Sequence, residues 1–118
     1  MPKSKETVLI ANDSTKAEID AIVSVILENV PALQVYLFGS FAKGTANESS
    51  DYDFYVVVPD HLQPIETTWK ITGAIPRQLW RKRNIDMLVG TESKFNKYKN
   101  TFSFIENDVI KTGVKLYG

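Results

Sequence analysis

The chain of 118 residues contains no cysteine and only one histidine, His61. The absence of thiols excludes a disulfide scaffold, a thiolate zinc site and a cysteine nucleophile. A lone imidazole is also poor provision for a two-histidine metal site or a histidine-based triad. Any chemistry must therefore rely on carboxylates, hydroxyls and metal ions taken from solution.

The chain also lacks net charge, since 14 Lys and Arg residues balance 14 Asp and Glu residues. Proteins that track phosphates usually carry a clear basic excess, so the balance argues against nucleic acid or an anionic membrane as a partner. No apolar run is long enough to span a bilayer, and the polar segment Met1–Thr7 has no targeting signal. We expect a cytoplasmic protein without a membrane partner.

The composition is that of an ordinary globular protein, with 43% hydrophobic and 24% charged residues. A mass of 13.3 kDa leaves room for one compact domain with a real hydrophobic core.

Hydrophobic periodicity predicts helices and short strands in alternation. The first helix has one apolar face; Thr15 and Glu18 form a capping-box pattern at its start, and Pro31 ends it. A second capping-box pattern, Ser103 with Glu106, opens a last helix that ends at Gly113. The residues on the apolar face of the first helix are Ile19, Ile22, Val23, Ile26, Leu27 and Val30.

Three apolar runs predict strands at 34–38, 51–58 and 85–89. Between the last two, a helical pattern over 65–83 follows Pro64 and contains Gly73 and Pro76, which should bend or split it. This order predicts an α/β fold, a small mixed sheet flanked by helices.

Three aspartates interrupt strands that should be apolar. Asp51 and Asp53 share one face of a strand because side chains alternate along it, and Asp86 lies in the middle of another strand. If these strands are neighbours, the three carboxylates converge. Oxygen ligands without histidine or thiol select Mg²⁺, with Mn²⁺ as the alternative. Taken alone, Asp-x-Asp is more often a solvated edge or a turn.

A second feature, Gly39-Ser40, ends the first strand and opens a possible helix. Glycine lets a phosphate approach the backbone, the serine hydroxyl adds a donor, and Lys43 adds positive charge nearby. Taken alone, a turn with a helix-capping serine is the simpler interpretation. Ten residues separate Ser40 from Asp51, so a phosphate cradle would precede a carboxylate pair.

A third feature is a run of basic residues: Lys70, Arg77, Arg81, Lys82 and Arg83. They could contact a triphosphate or an acidic partner. A solvated helix face is the favoured interpretation, because charge runs usually lie on surfaces.

Together these motifs resemble the nucleotidyltransferase superfamily typified by DNA polymerase β. The matching residues are Leu37-Phe38-Gly39-Ser40, then Asp51-Tyr52-Asp53-Phe54, then Ile85-Asp86-Met87-Leu88. The sequence from Gly39 to Ala46 closely resembles the corresponding segment of the minimal nucleotidyltransferase group of bacteria and archaea. The resemblance implies one minimal nucleotidyltransferase domain over residues 1–118.

Members of this superfamily move a nucleoside monophosphate from a nucleoside triphosphate to an acceptor hydroxyl and release pyrophosphate. The resemblance implies that Asp51 and Asp53 bridge two Mg²⁺ ions and that Asp86 holds the catalytic ion and helps to deprotonate the acceptor. It also implies that Gly39 and Ser40 hold the β- and γ-phosphates, with ATP as the expected nucleotide. Lys43 is a further candidate nucleotide-binding residue.

The minimal group is often encoded beside a helical HEPN-type protein in toxin–antitoxin pairs, with the small protein as antitoxin. So small a domain is expected to need such a partner, or a second copy of itself in a homodimer, to complete its site. Two other functions stay open: an antitoxin-like binding module and a nucleotide sensor without turnover.

Overall fold

The computed structural model describes residues 13–118. Four strands form the sheet: β1 (Gln34–Phe38), β2 (Tyr52–Val58), β3 (Ile85–Thr91) and β4 (Val114–Tyr117). Six helices connect or flank them: α1 (Asp13–Asn29), α2 (Gly39–Lys43), α3 (Pro64–Ala74), α4 (Arg77–Lys82), α5 (Glu92–Tyr98) and α6 (Ile105–Thr112). The predicted α/β class is confirmed.

The four strands lie in the order β3-β2-β1-β4. β1 runs antiparallel to β2 and to β4, whereas β2 and β3 run parallel. The parallel pair requires a crossover connection, which α3 and α4 provide. The sheet is therefore mixed, and its two central strands, β1 and β2, are the most fully buried.

Both faces of the sheet carry apolar side chains, but two different groups of helices cover them. On the first face, α1 and α3 pack against alternate residues of β1 and β2. On the second face, Phe95 of α5 and Val109 of α6 pack against the intervening residues of the same strands. The second face is left partly uncovered at β3, where Asp86 and Leu88 are exposed.

Both predicted capping boxes are wrong. Thr15 lies inside α1, which already includes Asp13, and α6 begins at Ile105 with no side-chain hydrogen bond at its N-cap. The two glutamates instead meet tyrosines of β2: the hydroxyl of Tyr52 donates to Glu18, and that of Tyr55 donates to Glu106 at 2.7 Å. Tertiary contact with the sheet has replaced the local cap at each helix.

The helical pattern over 65–83 is split as predicted. α3 begins at Pro64 and ends at Ala74, and Pro76 precedes the first residue of α4. Among residues 13–118, none of the helices combines the length and the apolar character that a membrane crossing would require.

Gly90 of β3 tests the packing on the second face. A Cβ at this position would lie 2.0 Å from the hydroxyl oxygen of Tyr55, which is buried and bonded to Glu106. We expect Gly90→Ala to lower the free energy of unfolding by about 2 kcal/mol, because overpacking displaces the tyrosine from its partner. Urea denaturation monitored by circular dichroism measures the change.

Gly73 of α3 is the matched control. A Cβ there meets nothing within 4 Å, so Gly73→Ala should stabilise the protein by about 0.5–1 kcal/mol through helix propensity alone. Equal effects of the two substitutions would contradict the packing described at Gly90.

Candidate functional site

The parallel register of β2 and β3 brings two of the predicted site residues together. Asp53 pairs with Asp86 across the two strands, and both side chains lie on the second face of the sheet. The two carboxyl groups are close enough for Asp86 to raise the pKa of Asp53. Asp53 is half-buried and Asp86 is exposed, so the pair opens towards solvent at the uncovered part of β3.

The electrostatics of Asp53 reflect this crowding. Burial, followed by the hydrogen bond and the negative charge of Asp86, raises the pKa of Asp53 to about 6. Asp51, immediately before β2, adds a weaker repulsion. Two like charges held side by side need a cation to offset them, and the donor set is oxygen only. The arrangement thus fits a hard divalent metal ion.

Gly39 closes the site from the adjacent strand. Phe38, the last residue of β1, pairs with Asp53 across the sheet, and the chain then turns into α2 with a φ of 74° at Gly39. A Cβ on Gly39 would lie 2.2 Å from Oδ2 of Asp53. Both the left-handed backbone and the close approach require glycine here.

Ser40 and Lys43 are the second and the last residues of α2. The interpretation of Ser40 as a helix cap is not supported, because the N-cap position is Phe38 and no side-chain hydrogen bond is made there. Ser40 follows the glycine that approaches Asp53, so its backbone lies at the same end of the sheet. Lys43 directs its Nζ to Asp108 of α6 at 3.9 Å, with both side chains about half exposed.

The structure brings two of the three predicted carboxylates together. Across residues 13–118, no three acidic or histidine side chains are grouped so that they could hold a metal ion. Asp53 and Asp86 form a pair, and Asp51 acts on it only through its charge. The assignment of all three residues as metal ligands stays a prediction.

Arg83 is a residue whose role the sequence did not reveal. It lies between α4 and β3, half-buried, rather than on a solvated basic face. Its Nη1 donates to three backbone carbonyl oxygens of the loop before β2, and its guanidinium stacks on two aromatic rings. The run of basic residues does not distinguish Arg83 from its neighbours. Its contacts arise only when β2 and β3 pair.

Comparison with known families identifies the chain. The profile of the nucleotidyltransferase domain matches residues 19–115, which include every predicted site residue. The chain belongs to the nucleotidyltransferase domain family. This membership confirms the resemblance drawn from the three motifs.

One curated relative is the protein adenylyltransferase MntA of Shewanella oneidensis strain MR-1. It is 39% identical to this nucleotidyltransferase over 59 residues, which are 49% of this chain and 42% of the relative. The matched part is thus less than half the length of that relative.

Solved structures share the fold. A toxin–antitoxin complex crystallised with AMP-PNP contains a similar chain, with a TM-score of 0.60 and 24% identity over 84% of this chain and 72% of that one. A protein of Sulfolobus solfataricus described as a nucleotidyltransferase gives a TM-score of 0.57 and 21% identity over 96% and 82% of the two chains.

The raised pKa of Asp53 predicts a pH-dependent cost to folding. Because the folded state holds the proton more tightly than the unfolded state, stability falls as pH rises from about 4 to about 6 and stays lower above that. In metal-free buffer at pH 7.5 we expect Asp53→Asn to raise the free energy of unfolding by about 1 kcal/mol after solvent screening, or Tm by about 4 °C. Differential scanning calorimetry between pH 4 and 8 measures the gain.

Two comparisons make this prediction specific. Asp86→Asn should give a similar gain at pH 7.5, and the double variant should gain less than the sum, since each substitution removes the same repulsion. Glu48→Gln, at an exposed position in the loop before β2, is the control and should leave Tm unchanged. A gain that persists undiminished at pH 4 would contradict this explanation.

Proposed function

We propose that this protein transfers AMP from ATP to a hydroxyl group of a protein or small-molecule acceptor and releases pyrophosphate. The observation that carries the proposal is the contact of Gly39 with Asp53 beside Asp86, in a chain of the nucleotidyltransferase family. This contact joins the Gly-Ser turn to the carboxylate pair, so a triphosphate on one would lie against the other.

Each residue has a task that its place in the fold supports. Ser40 and the backbone at Gly39 hold the β- and γ-phosphates, and Lys43 adds a positive charge once it exchanges Asp108 for the nucleotide. The acceptor oxygen bonds to the α-phosphorus as the bond from that phosphorus to the bridging oxygen breaks. Asp86, exposed beside Asp53, takes the proton of the attacking hydroxyl.

Asp51, Asp53 and Asp86 would together hold Mg²⁺, two ions in all, with Mn²⁺ as the alternative. Such ions, when bound, polarise the phosphoryl oxygens and offset the negative charge of carboxylates and triphosphate. The mutual repulsion of Asp53 and Asp86 supports this assignment, because a bound cation would relieve it.

A protein partner is the second part of the proposal. The fold neighbour with AMP-PNP is a toxin–antitoxin complex, and a relative is named a protein adenylyltransferase. We propose that this chain pairs with a helical HEPN-type protein, which receives the AMP and is neutralised by it. A homodimer of this chain is the alternative source of contacts to the acceptor.

The test is transfer of label from [α-³²P]ATP, with Mg²⁺, to a HEPN-type protein encoded by an adjacent gene. We expect a labelled acceptor with the wild type and a loss of about 10²–10³-fold with Asp53→Asn, because Asp53 would hold the Mg²⁺ that offsets negative charge in the transition state. Gly39→Ala should lose at least as much, since its methyl group would displace Asp53. Asp20→Asn in α1, an exposed position, is the control.

A binding module without transfer is the other outcome of this experiment. If the partner co-purifies with the wild type and with the double variant Asp51→Asn, Asp53→Asn, but no label is transferred, the antitoxin-like interpretation replaces the enzymatic one. Mg²⁺-dependent binding of ATP without pyrophosphate release would instead identify a nucleotide sensor.

A further inference from the structure

We infer that Arg83 is a positioning residue: it sets the loop 44–51, and through that loop it places Asp51 for nucleotidyl transfer. This inference rests on the proposed function. Arg83 touches neither the Asp53–Asp86 pair nor the Gly39 turn, so its action must pass through the residues that it holds.

The first observation is the set of hydrogen bonds from Arg83 to the loop. Its Nη1 donates to the carbonyl oxygens of Asn47 at 3.0 Å, Glu48 at 3.2 Å and Ser50 at 2.6 Å. The loop has a tight turn of its own, in which the N–H of Ser50 bonds to the carbonyl oxygen of Asn47 at 3.1 Å. One cationic nitrogen thus bonds to three carbonyl oxygens of the loop, the last of which belongs to the residue before Asp51.

The second observation is the stacking of the same guanidinium on two rings. Its central carbon lies 4.9 Å from the ring of Phe41 and 5.4 Å from the ring of Tyr52. The two rings are themselves 4.7 Å apart. Phe41 follows Ser40 in α2, and Tyr52 lies between Asp51 and Asp53, so the stack joins the two ends of the loop.

The third observation is where Arg83 itself is anchored. Asn84, its neighbour, accepts a hydrogen bond from the N–H of Tyr52 at 3.0 Å through its carbonyl oxygen, and β3 begins directly after it. Arg83 is therefore fixed to the strand that carries Asp86. Arg83 thus contacts, in one cluster on the first face of the sheet, the segments that lead to Ser40, Asp51 and Asp86.

The chemistry of the cluster favours arginine over other cations. A planar guanidinium can stack on the rings while its edge donates to the carbonyls, whereas an ammonium group can only donate. Nε of Arg83 is buried and has no hydrogen-bond partner within residues 13–118, so the edge bearing Nη1 makes the polar contacts. Lysine in place of Arg83 should therefore keep part of the positioning role, and methionine should keep none of it.

The experiment compares Arg83→Met, Arg83→Lys and Arg81→Met with the wild type. Arg81 is an exposed arginine of α4, two residues away, and serves as the matched control. Hydrogen–deuterium exchange of peptides covering 44–51 reports the loop without any need for activity. Steady-state transfer from ATP to the adjacent-gene HEPN-type protein gives kcat and KM, and circular dichroism checks that each variant is folded.

With Arg83→Met we expect faster hydrogen–deuterium exchange confined to 44–51. We also expect kcat to fall about tenfold or more while the KM for ATP changes less than about threefold. The reason is that misplacement of a positioned group reduces the rate more than it reduces binding. Arg83→Lys should lie between Arg83→Met and the wild type, and Arg81→Met should match the wild type. An unchanged exchange rate at 44–51, or a kcat of Arg83→Met within twofold of the wild type, would overturn the inference.

The failure of the proposed function has a different signature. A wild type that transfers no AMP overturns the transferase proposal, and with it the part of the inference that concerns Asp51 in catalysis. The exchange data then still decide whether Arg83 holds the loop. If the wild type transfers AMP and Arg83→Met behaves like the wild type, only the positioning role of Arg83 is overturned.

Discussion

Two carboxyl groups, Asp53 and Asp86, stand side by side because β2 and β3 pair in parallel at the register that places them opposite each other. Folding brings these like charges together and partly removes them from water, which raises the pKa of Asp53 to about 6. The surrounding structure sustains this repulsion. Gly39 leaves room for Asp53, and buried aromatic residues of β2 pack on both faces of the sheet.

β2 is the element on which both faces depend. Its two tyrosines lie on opposite faces of the sheet. Tyr52 donates to Glu18 on the first face, and Tyr55 donates to Glu106 on the second. Burial and the neighbouring glutamate raise the pKa of both phenols, that of Tyr52 to about 12, so both remain neutral donors at ordinary pH. Each hydrogen bond ties a flanking helix to the strand that carries Asp53.

Much of this arrangement could be predicted from the sequence, and the reason is periodicity. The strands ending at Phe38 and Val58, the helix break between Gly73 and Pro76, and the Gly39-Ser40 and Asp51-x-Asp53 motifs depend on local order and spacing. The adjacency of Asp86 to Asp53 required that the two strands be parallel neighbours in one particular register. These features are local, or need one correct pairing.

What failed depended on contacts between distant residues. Glu18 and Glu106 fit capping boxes by spacing, but each accepts a hydrogen bond from a buried tyrosine of β2 instead. In the sequence Arg83 is one cation of a basic run. Its three carbonyl acceptors and two aromatic rings belong to residues more than 30 positions away, so the local pattern does not reveal them. The role of Lys43 as a phosphate contact stays a prediction; its Nζ lies 3.9 Å from Oδ1 of Asp108.

The most direct test of the carboxylate pair is the titration of Asp53 itself by carboxyl ¹³C NMR in metal-free buffer. The structure predicts a pKa of about 6 in the wild type, and a lower pKa when Asp86 is replaced by asparagine. A pKa near the ordinary value of about 4 in the wild type, unmoved by Asp86→Asn, would contradict the claim that the sheet holds two carboxylates in mutual repulsion.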